Sequence, residues 1–410
     1  MTRSSAIFFF SVLVGTLETS GTSAVAIDRN VTSLMNELPY SSQPCFSLSN
    51  TPEENLVGNC RPSFIIVGAG KAGTSSLYAY LNDHPNVIQA KVKQTHFWKY
   101  DYPDGLPLNM YFENFPRSPA FELGADERTT QFVTGEASPG YLPDERSAKF
   151  IGRHLRGVRI LMLFRDPVER ALSSYIYNYL NVVKEEHRKK SRGTVSVQTK
   201  FSHMNAILAE EEEIDNESIV TFEEFVDAEM RHIRRCLKKK GLSAAAIDIF
   251  KLCFDGDETV EKQWVGLERS KNGKARIVRT HSSYLIRTML ARGFYQSQHD
   301  LWLREGHDIH VMCTEQMNLE TGDQVLKDAA SFIGLPEYNF TDTIFRHGIL
   351  NSKENPGYEV STTWREHALK HPSAGVSPAT RKKIIDFLKE HDATLTGWGK
   401  FSKSCGWDDS

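Results

Sequence analysis

The sequence predicts an α/β domain, a mostly parallel sheet with helices on both faces, and three stretches predict it. In the first, Phe64-Ile65-Ile66-Val67 is a continuous apolar run, the pattern of a strand buried on both faces. It breaks into Gly68, Gly70, Lys71 and Gly73, after which Leu77, Tyr80 and Leu81 recur at helical spacing. In the second, an apolar run from Val158 to Phe164 ends in Arg165, and Asp166-Pro167 opens a helix. Asp166 is a ready N-cap, Pro167 suits the first helical position, and Glu169 completes a capping box. In the third, Ile309-His310-Val311-Met312-Cys313 reads as another buried strand, with Glu315 soon after. A helix over 323–333 follows, closed by Gly334 and Pro336. Strands alternating with helices build a parallel sheet whose ligands collect at the strands' carboxyl edge.

Along the chain, residues 1–26 have the form of a targeting segment. Met1-Thr2-Arg3 is short and basic, residues 6–17 are mostly apolar, and Ala24-Val25-Ala26 is an A-x-A cleavage pattern. The apolar stretch falls short of the roughly 20 residues that span a bilayer. A cleaved signal peptide is therefore the expectation for residues 1–26, with a short uncleaved signal anchor as the alternative. Residues 27–62, with Pro39, Pro44 and Pro52 among Ser and Asn, read as an irregular stem, and residues 63–410 as the folded domain.

The glycine loop after the first strand is an anion cradle. A helix N-terminus offers bare amides, and Lys71, Thr74, Ser75 and Ser76 add an ammonium and hydroxyls. Gly68, Gly70 and Gly73 satisfy G-x-G-x-x-G, but a dinucleotide site wants an acidic residue about 20 positions on. The next strand candidate, Asn86-Val87-Ile88-Gln89-Ala90, runs into Lys91 and Lys93 instead. A nucleoside triphosphate loop needs G-x-x-x-x-G-K-[ST]. Here Ile65 stands at the first glycine and Ala72 at the hydroxyl.

A third pattern fits residue by residue. Lys71-Ala72-Gly73-Thr74-Ser75-Ser76 resembles the 5′-phosphosulfate loop of sulfotransferases that use 3′-phosphoadenosine 5′-phosphosulfate (PAPS), and Arg165 with Ser173 resembles their 3′-phosphate clamp. Lys93-Gln94-Thr95-His96-Phe97-Trp98 is similar to K-E-x-H-F-[FW] of Golgi carbohydrate sulfotransferases, and Gly135-Glu136-Ala137-Ser138-Pro139-Gly140-Tyr141 to their G-E-x-[ST]-P-x-Y. Gly293-Phe294-Tyr295 with Leu301-Trp302-Leu303 resembles a later G-x-Y…W helix. The flavour is that of the N-acetylgalactosamine 4-sulfate 6-O-sulfotransferase and heparan sulfate sulfotransferase branch.

The resemblance implies a P-loop-like three-layer sandwich that moves the sulfuryl group of PAPS to a carbohydrate hydroxyl in the Golgi lumen. A protein-tyrosine acceptor, or a PAPS- or glycan-binding relative without turnover, are the alternatives. Lys71 is expected to stabilise the leaving phosphate without a metal, and the amides of Gly73, Thr74 and Ser75 to hold the 5′-phosphate. Lys353 and Gly357, within Asn351 to Tyr358, loosely match the family's late loop over the cofactor. The family's usual base, the glutamate of K-E-x-H-F, is Gln94 here, and an amide cannot accept the proton. His96, two residues on and on the same face of an extended segment, is the expected substitute, with Glu136 second.

The remaining features bound the rest. Residues 184–280 carry basic KEEHRKKSR, then acidic and basic runs, and read as a solvated insertion or an electropositive rim for an anionic glycan. Thr221-Phe222-Glu223-Glu224-Phe225-Val226 nonetheless resembles a helix start in relatives, and residues 378–398 a closing helix. Six cysteines suggest disulfides in an oxidising lumen, with Cys45–Cys60 and Cys236–Cys253 nearest in sequence. No two cysteines have zinc-site spacing. Asn30, Asn216 and Asn339 begin N-x-[ST] sequons. A net charge of −3 and the absence of a basic motif set gives nucleic-acid binding no support.

Overall fold

The computed structural model describes residues 59–116, 132–177, 221–240, 253, 264–269, 275–280, 289–347 and 375–407. The chain divides into two compact units, Met1–Pro39 and Tyr40–Ser410, and every described residue belongs to the second. Its centre is a four-stranded, wholly parallel sheet in the order β2-β1-β3-β6. These strands are β1 (Phe64–Gly68), β2 (Gly135–Glu136), β3 (Arg159–Phe164) and β6 (Ile309–Cys313). β1 is buried at every position and β3 at all but Arg159, as their unbroken apolar runs require. Strands β4 (Trp264–Arg269) and β5 (Ala275–Thr280) form a separate antiparallel pair.

Helices flank the sheet. They are α1 (Thr74–Asn82), α2 (Leu108–Phe112), α3 (Glu145–His154), α4 (Pro167–Tyr175) and α5 (Phe222–Lys240), then α6 (Tyr295–Arg304), α7 (Gly322–Phe332), α8 (Thr341–His347), α9 (Pro378–Glu390) and α10 (Trp398–Cys405). None is long and apolar enough to cross a membrane. Asp166 caps α4 as expected, accepting from the amides of Val168 at 2.7 Å and Glu169 at 3.2 Å. Glu169 does not close the capping box. The Asp166 amide donates instead to Glu315 Oε1 at 2.9 Å, while Glu169 faces Arg165 and Arg381. A carboxylate from the end of β6 has taken the place of the local one.

Three other expectations change. Asn86 to Ala90 forms no strand: Val87 makes a single parallel bridge to Val133, and the Lys91 amide then donates to Asn114 O. The closing helix stops at Glu390, and a π-turn, Asp392–Thr396, leads into α10. Residues 221–240, expected in a solvated insertion, form the 19-residue α5, which buries Phe222, Phe225, Val226, Met230 and Ile233. Those residues recur at helical spacing. A true capping box starts α5, with the Thr221 amide donating to Glu224 Oε2 at 2.9 Å and the Glu224 amide to Thr221 Oγ1 at 3.3 Å. The basic run at 184–192 lies outside the described residues.

Cys236 bonds to Cys253, as its spacing suggested. Cys313 bonds to Cys405 across 92 residues and ties α10 to the end of β6, a pairing that sequence closeness could not indicate. Cys60 is disulfide-bonded as well, and its expected partner Cys45 lies outside the described residues.

Candidate active site

Because the four central strands are parallel, their carboxyl ends share one edge. That edge presents the glycine loop after β1, Glu136 to Ser138 at β2, Arg165 after β3, and Thr314 and Glu315 after β6. Gly73, at φ 87°, is the N-cap of α1; a glycine takes this left-handed conformation without strain. No side chain caps the helix and no acidic residue stands in its first turn. Among the described residues, the first-turn amides therefore have no local carboxylate answering the positive end of the helix dipole. A Cβ on Gly70 would meet nothing within 4 Å, so the loop is open there.

The loop is held from behind by its carbonyls. Arg170 Nη1 donates to Gly70 O at 3.4 Å, Arg165 Nη1 to Lys71 O at 3.2 Å, and Thr314 Oγ1 to Ala72 O at 2.6 Å. Three consecutive acceptors are thus engaged by side chains from α4, the end of β3 and the end of β6. Arg165 is itself positioned by Tyr295, whose hydroxyl donates to Arg165 O at 2.7 Å and whose ring stacks on Phe164 at 4.2 Å. Lys71, at φ 72°, places its ammonium 3.8 Å from the centre of the Tyr177 ring. Arg165 therefore does meet the loop, while Ser173, half-buried on α4, makes no hydrogen bond to Arg165 among the described residues. Lys353 and Gly357 lie outside those residues.

A second segment closes on the same loop. Lys93 Nζ donates to Ser75 Oγ at 2.6 Å, and Lys93 O accepts from the Ala137 amide at 2.8 Å. His96 is not on an extended segment. Its φ is 54°, the chain turns immediately after it, and its amide donates to Ser138 Oγ at 3.1 Å. His96 and Gln94 consequently do not stand as alternate residues of one strand face, and Gln94 is exposed.

Glu136, the second expected base, has another task. It is fully buried, and Oε2 accepts from Thr95 N at 3.2 Å, Thr95 Oγ1 at 2.8 Å and Ser138 Oγ at 2.6 Å. Oε1 accepts from Tyr111 at 2.9 Å and Tyr141 at 3.4 Å. Burial pushes the carboxyl up, and the Ser138, Thr95 and Tyr111 hydroxyls partly pull it back. With both oxygens occupied, it fastens the 93–96 segment to β2 and has no face open to an acceptor.

Sequence reasoning missed Arg170, Thr314 and the contact of Lys93 with Ser75. Arg170 and Thr314 lie 100 and 242 residues from the carbonyls they hold, beyond any local pattern.

No family model matches the chain. Curated proteins match parts of it. It is 31% identical to the membrane-associated sulfotransferase kil1 of Dictyostelium discoideum over 29% of this chain and 23% of that protein. It is 32% identical to human heparan sulfate glucosamine 3-O-sulfotransferase 5 over 28% of this chain and 30% of that one. Over these stretches the chain is similar to sulfotransferases. Rat carbohydrate sulfotransferase 15 is 28% identical over 32% of this chain and 29% of its own length. The chain thus spans about a quarter to a third of the length of these curated sulfotransferases. A sulfotransferase from Alicyclobacillus acidocaldarius superposes with a TM-score of 0.39 at 19% identity, covering 82% of this chain and 95% of that one.

Proposed function

We propose that the chain is a carbohydrate O-sulfotransferase of the secretory pathway that uses PAPS as donor. The observation that carries this reading is the uncapped start of α1, ringed by Lys71, Arg165 and Lys93 at the carboxyl edge of a parallel sheet. The residues fit the donor: bare amides, two ammonium groups and a guanidinium suit a molecule with phosphate at both ends. Two of the curated relatives carry a carbohydrate or glycan in their names, which supports a glycan acceptor.

PAPS supplies the sulfuryl group. The amides of Gly73, Thr74 and Ser75 bind its 5′ end, and Arg165 with Ser173 binds its 3′-phosphate. Lys71 leaves the Tyr177 ring and takes the charge that builds on the departing phosphate. His96 accepts the proton of the acceptor hydroxyl, and Glu136, through Thr95 and Ser138, keeps that segment in place. Holding the reactants in line supplies much of the remaining rate.

The test is transfer of labelled sulfate from PAPS to a panel of glycosaminoglycans, with Lys71→Ala as control. Incorporation by the wild type and its loss in a folded Lys71→Ala protein is expected. The exposed amide of Gln94 favours one second reading, a binding relative without turnover. Donor binding with no incorporation on any glycan or tyrosine peptide would establish that instead.

A further inference from the structure

Lys93 opens a motif in which attention falls on the two positions that follow, and no task attaches to it. Its backbone is pinned beside β2 by the Ala137 amide, and its side chain crosses to α1, where Nζ donates to Ser75 Oγ at 2.6 Å. Ser75 stands in the first turn of α1, so this ammonium lies at the rim of the amide cradle. Its partner is neutral, and among the described residues no carboxylate forms an ion pair with it. An ammonium has three protons to donate, and Ser75 takes one. Partly buried charges are ordinarily matched by an opposite charge. Burial without such a match pushes this group down to about 8. The geometry therefore leaves an unanswered cation facing the place where a bound donor would bring an anion.

We propose that Lys93 is a second catalytic cation of the transfer site, its ammonium holding an oxygen of the donor's 5′-phosphosulfate beside Ser75. This rests on the PAPS reading above. In the transfer, the bond from sulfur to the 5′-phosphate oxygen breaks as the acceptor oxygen bonds to sulfur. The electron pair stays on the phosphate, the acceptor's proton goes to His96, and Lys93 and Lys71 together answer the charge collecting on the phosphate. The two cations approach from different elements, Lys71 from the loop itself and Lys93 from the segment fastened to β2.

The test is calorimetric binding of adenosine 3′,5′-bisphosphate and adenosine 3′-monophosphate to the full chain and to Lys93→Met and Lys93→Arg. The wild type is expected to bind the bisphosphate. Lys93→Met is expected to weaken the bisphosphate about tenfold or more while leaving the 3′-monophosphate within about threefold, and Lys93→Arg to recover most of the loss. Equal weakening of both ligands, or none, overturns the proposal, because a residue that merely supports the fold would not distinguish the 5′ end. Should Lys93→Met not fold, Lys93→Gln removes the same charge and carries the same expectation. Failure of the wild type to bind the bisphosphate would instead remove the PAPS reading itself.

Discussion

The proposed transfer assigns proton removal at the acceptor oxygen to His96, since the Gln94 amide has no basic atom and Glu136 is enclosed by five hydrogen bonds. A base works only when deprotonated, so activity declines as the imidazole takes up a proton. His96→Ala is expected to lose about 10²-fold or more in kcat/KM together with the acidic limb of the pH–rate profile. An acidic limb that survives this change assigns the base elsewhere. Lys93 carries a second prediction, for the donor-free protein. Its ammonium is pushed from 10.5 down to about 8 by burial, so between those values the unfolded chain binds the proton more readily than the folded one. Its charge therefore opposes folding below about pH 8, and stability recovers as pH rises toward 10.5. Lys93→Met should raise stability at pH 7 by about 1–3 kcal/mol, with the gain shrinking toward pH 10.5. Urea unfolding at the two pH values measures it, and a variant less stable at pH 7 would contradict the sign. The glycine loop, Arg165 and the 93–98 motif were legible in the sequence because each is a run of adjacent residues. The left-handed turn at His96 was not, since it is imposed by the hydrogen bond from its amide to Ser138.

Helix α5 shows how an element can be obscured by its neighbours in sequence. Its charged face, with Arg231, Arg234 and Arg235 exposed, hides an apolar stripe whose centre is a buried glutamate. Glu229 accepts from the amides of Met289, Leu290 and Ala291 at 2.9, 3.0 and 3.0 Å. Buried Arg170 joins that cluster, donating to Met289 O and, through Nη1, to Gly70 O. The helix thus braces the glycine loop through one arginine and one short backbone turn. Glu229→Ala leaves three buried amides without an acceptor and Arg170 without its counter-charge, at a cost of about 3–5 kcal/mol. Denaturant unfolding reads that loss, and a change under 1 kcal/mol would mean the brace is not structural. The strand–loop–helix elements of the sheet could be anticipated because apolar runs and caps are local. The role of α5 could not, because the amides that donate to Glu229 begin 60 residues further on.

At the scale of the molecule, the parallel sheet gathers what the chain disperses. Residues 71, 93, 136, 165 and 314 meet at one edge because each follows or flanks a strand pointing the same way. The Cys313–Cys405 bond secures that edge further, since Glu315, two residues past Cys313, accepts from the Asp166 amide and from Trp407 Nε1 at 3.0 Å. The α/β parallel sheet and the glycine loop at the start of α1 were readable from spacing, whereas the Cys313–Cys405 disulfide and the carbonyl clamps arise only once the strands align. The claim that joins these features is that the edge is a PAPS site, and a structure with adenosine 3′,5′-bisphosphate bound tests it most directly. The expected result is the 5′-phosphate on the first-turn amides of α1, with Lys71 and Lys93 in contact, and the 3′-phosphate at Arg165 and Ser173. A bisphosphate bound away from the glycine loop, or reversed so that its 3′-phosphate occupies the amides, would contradict it.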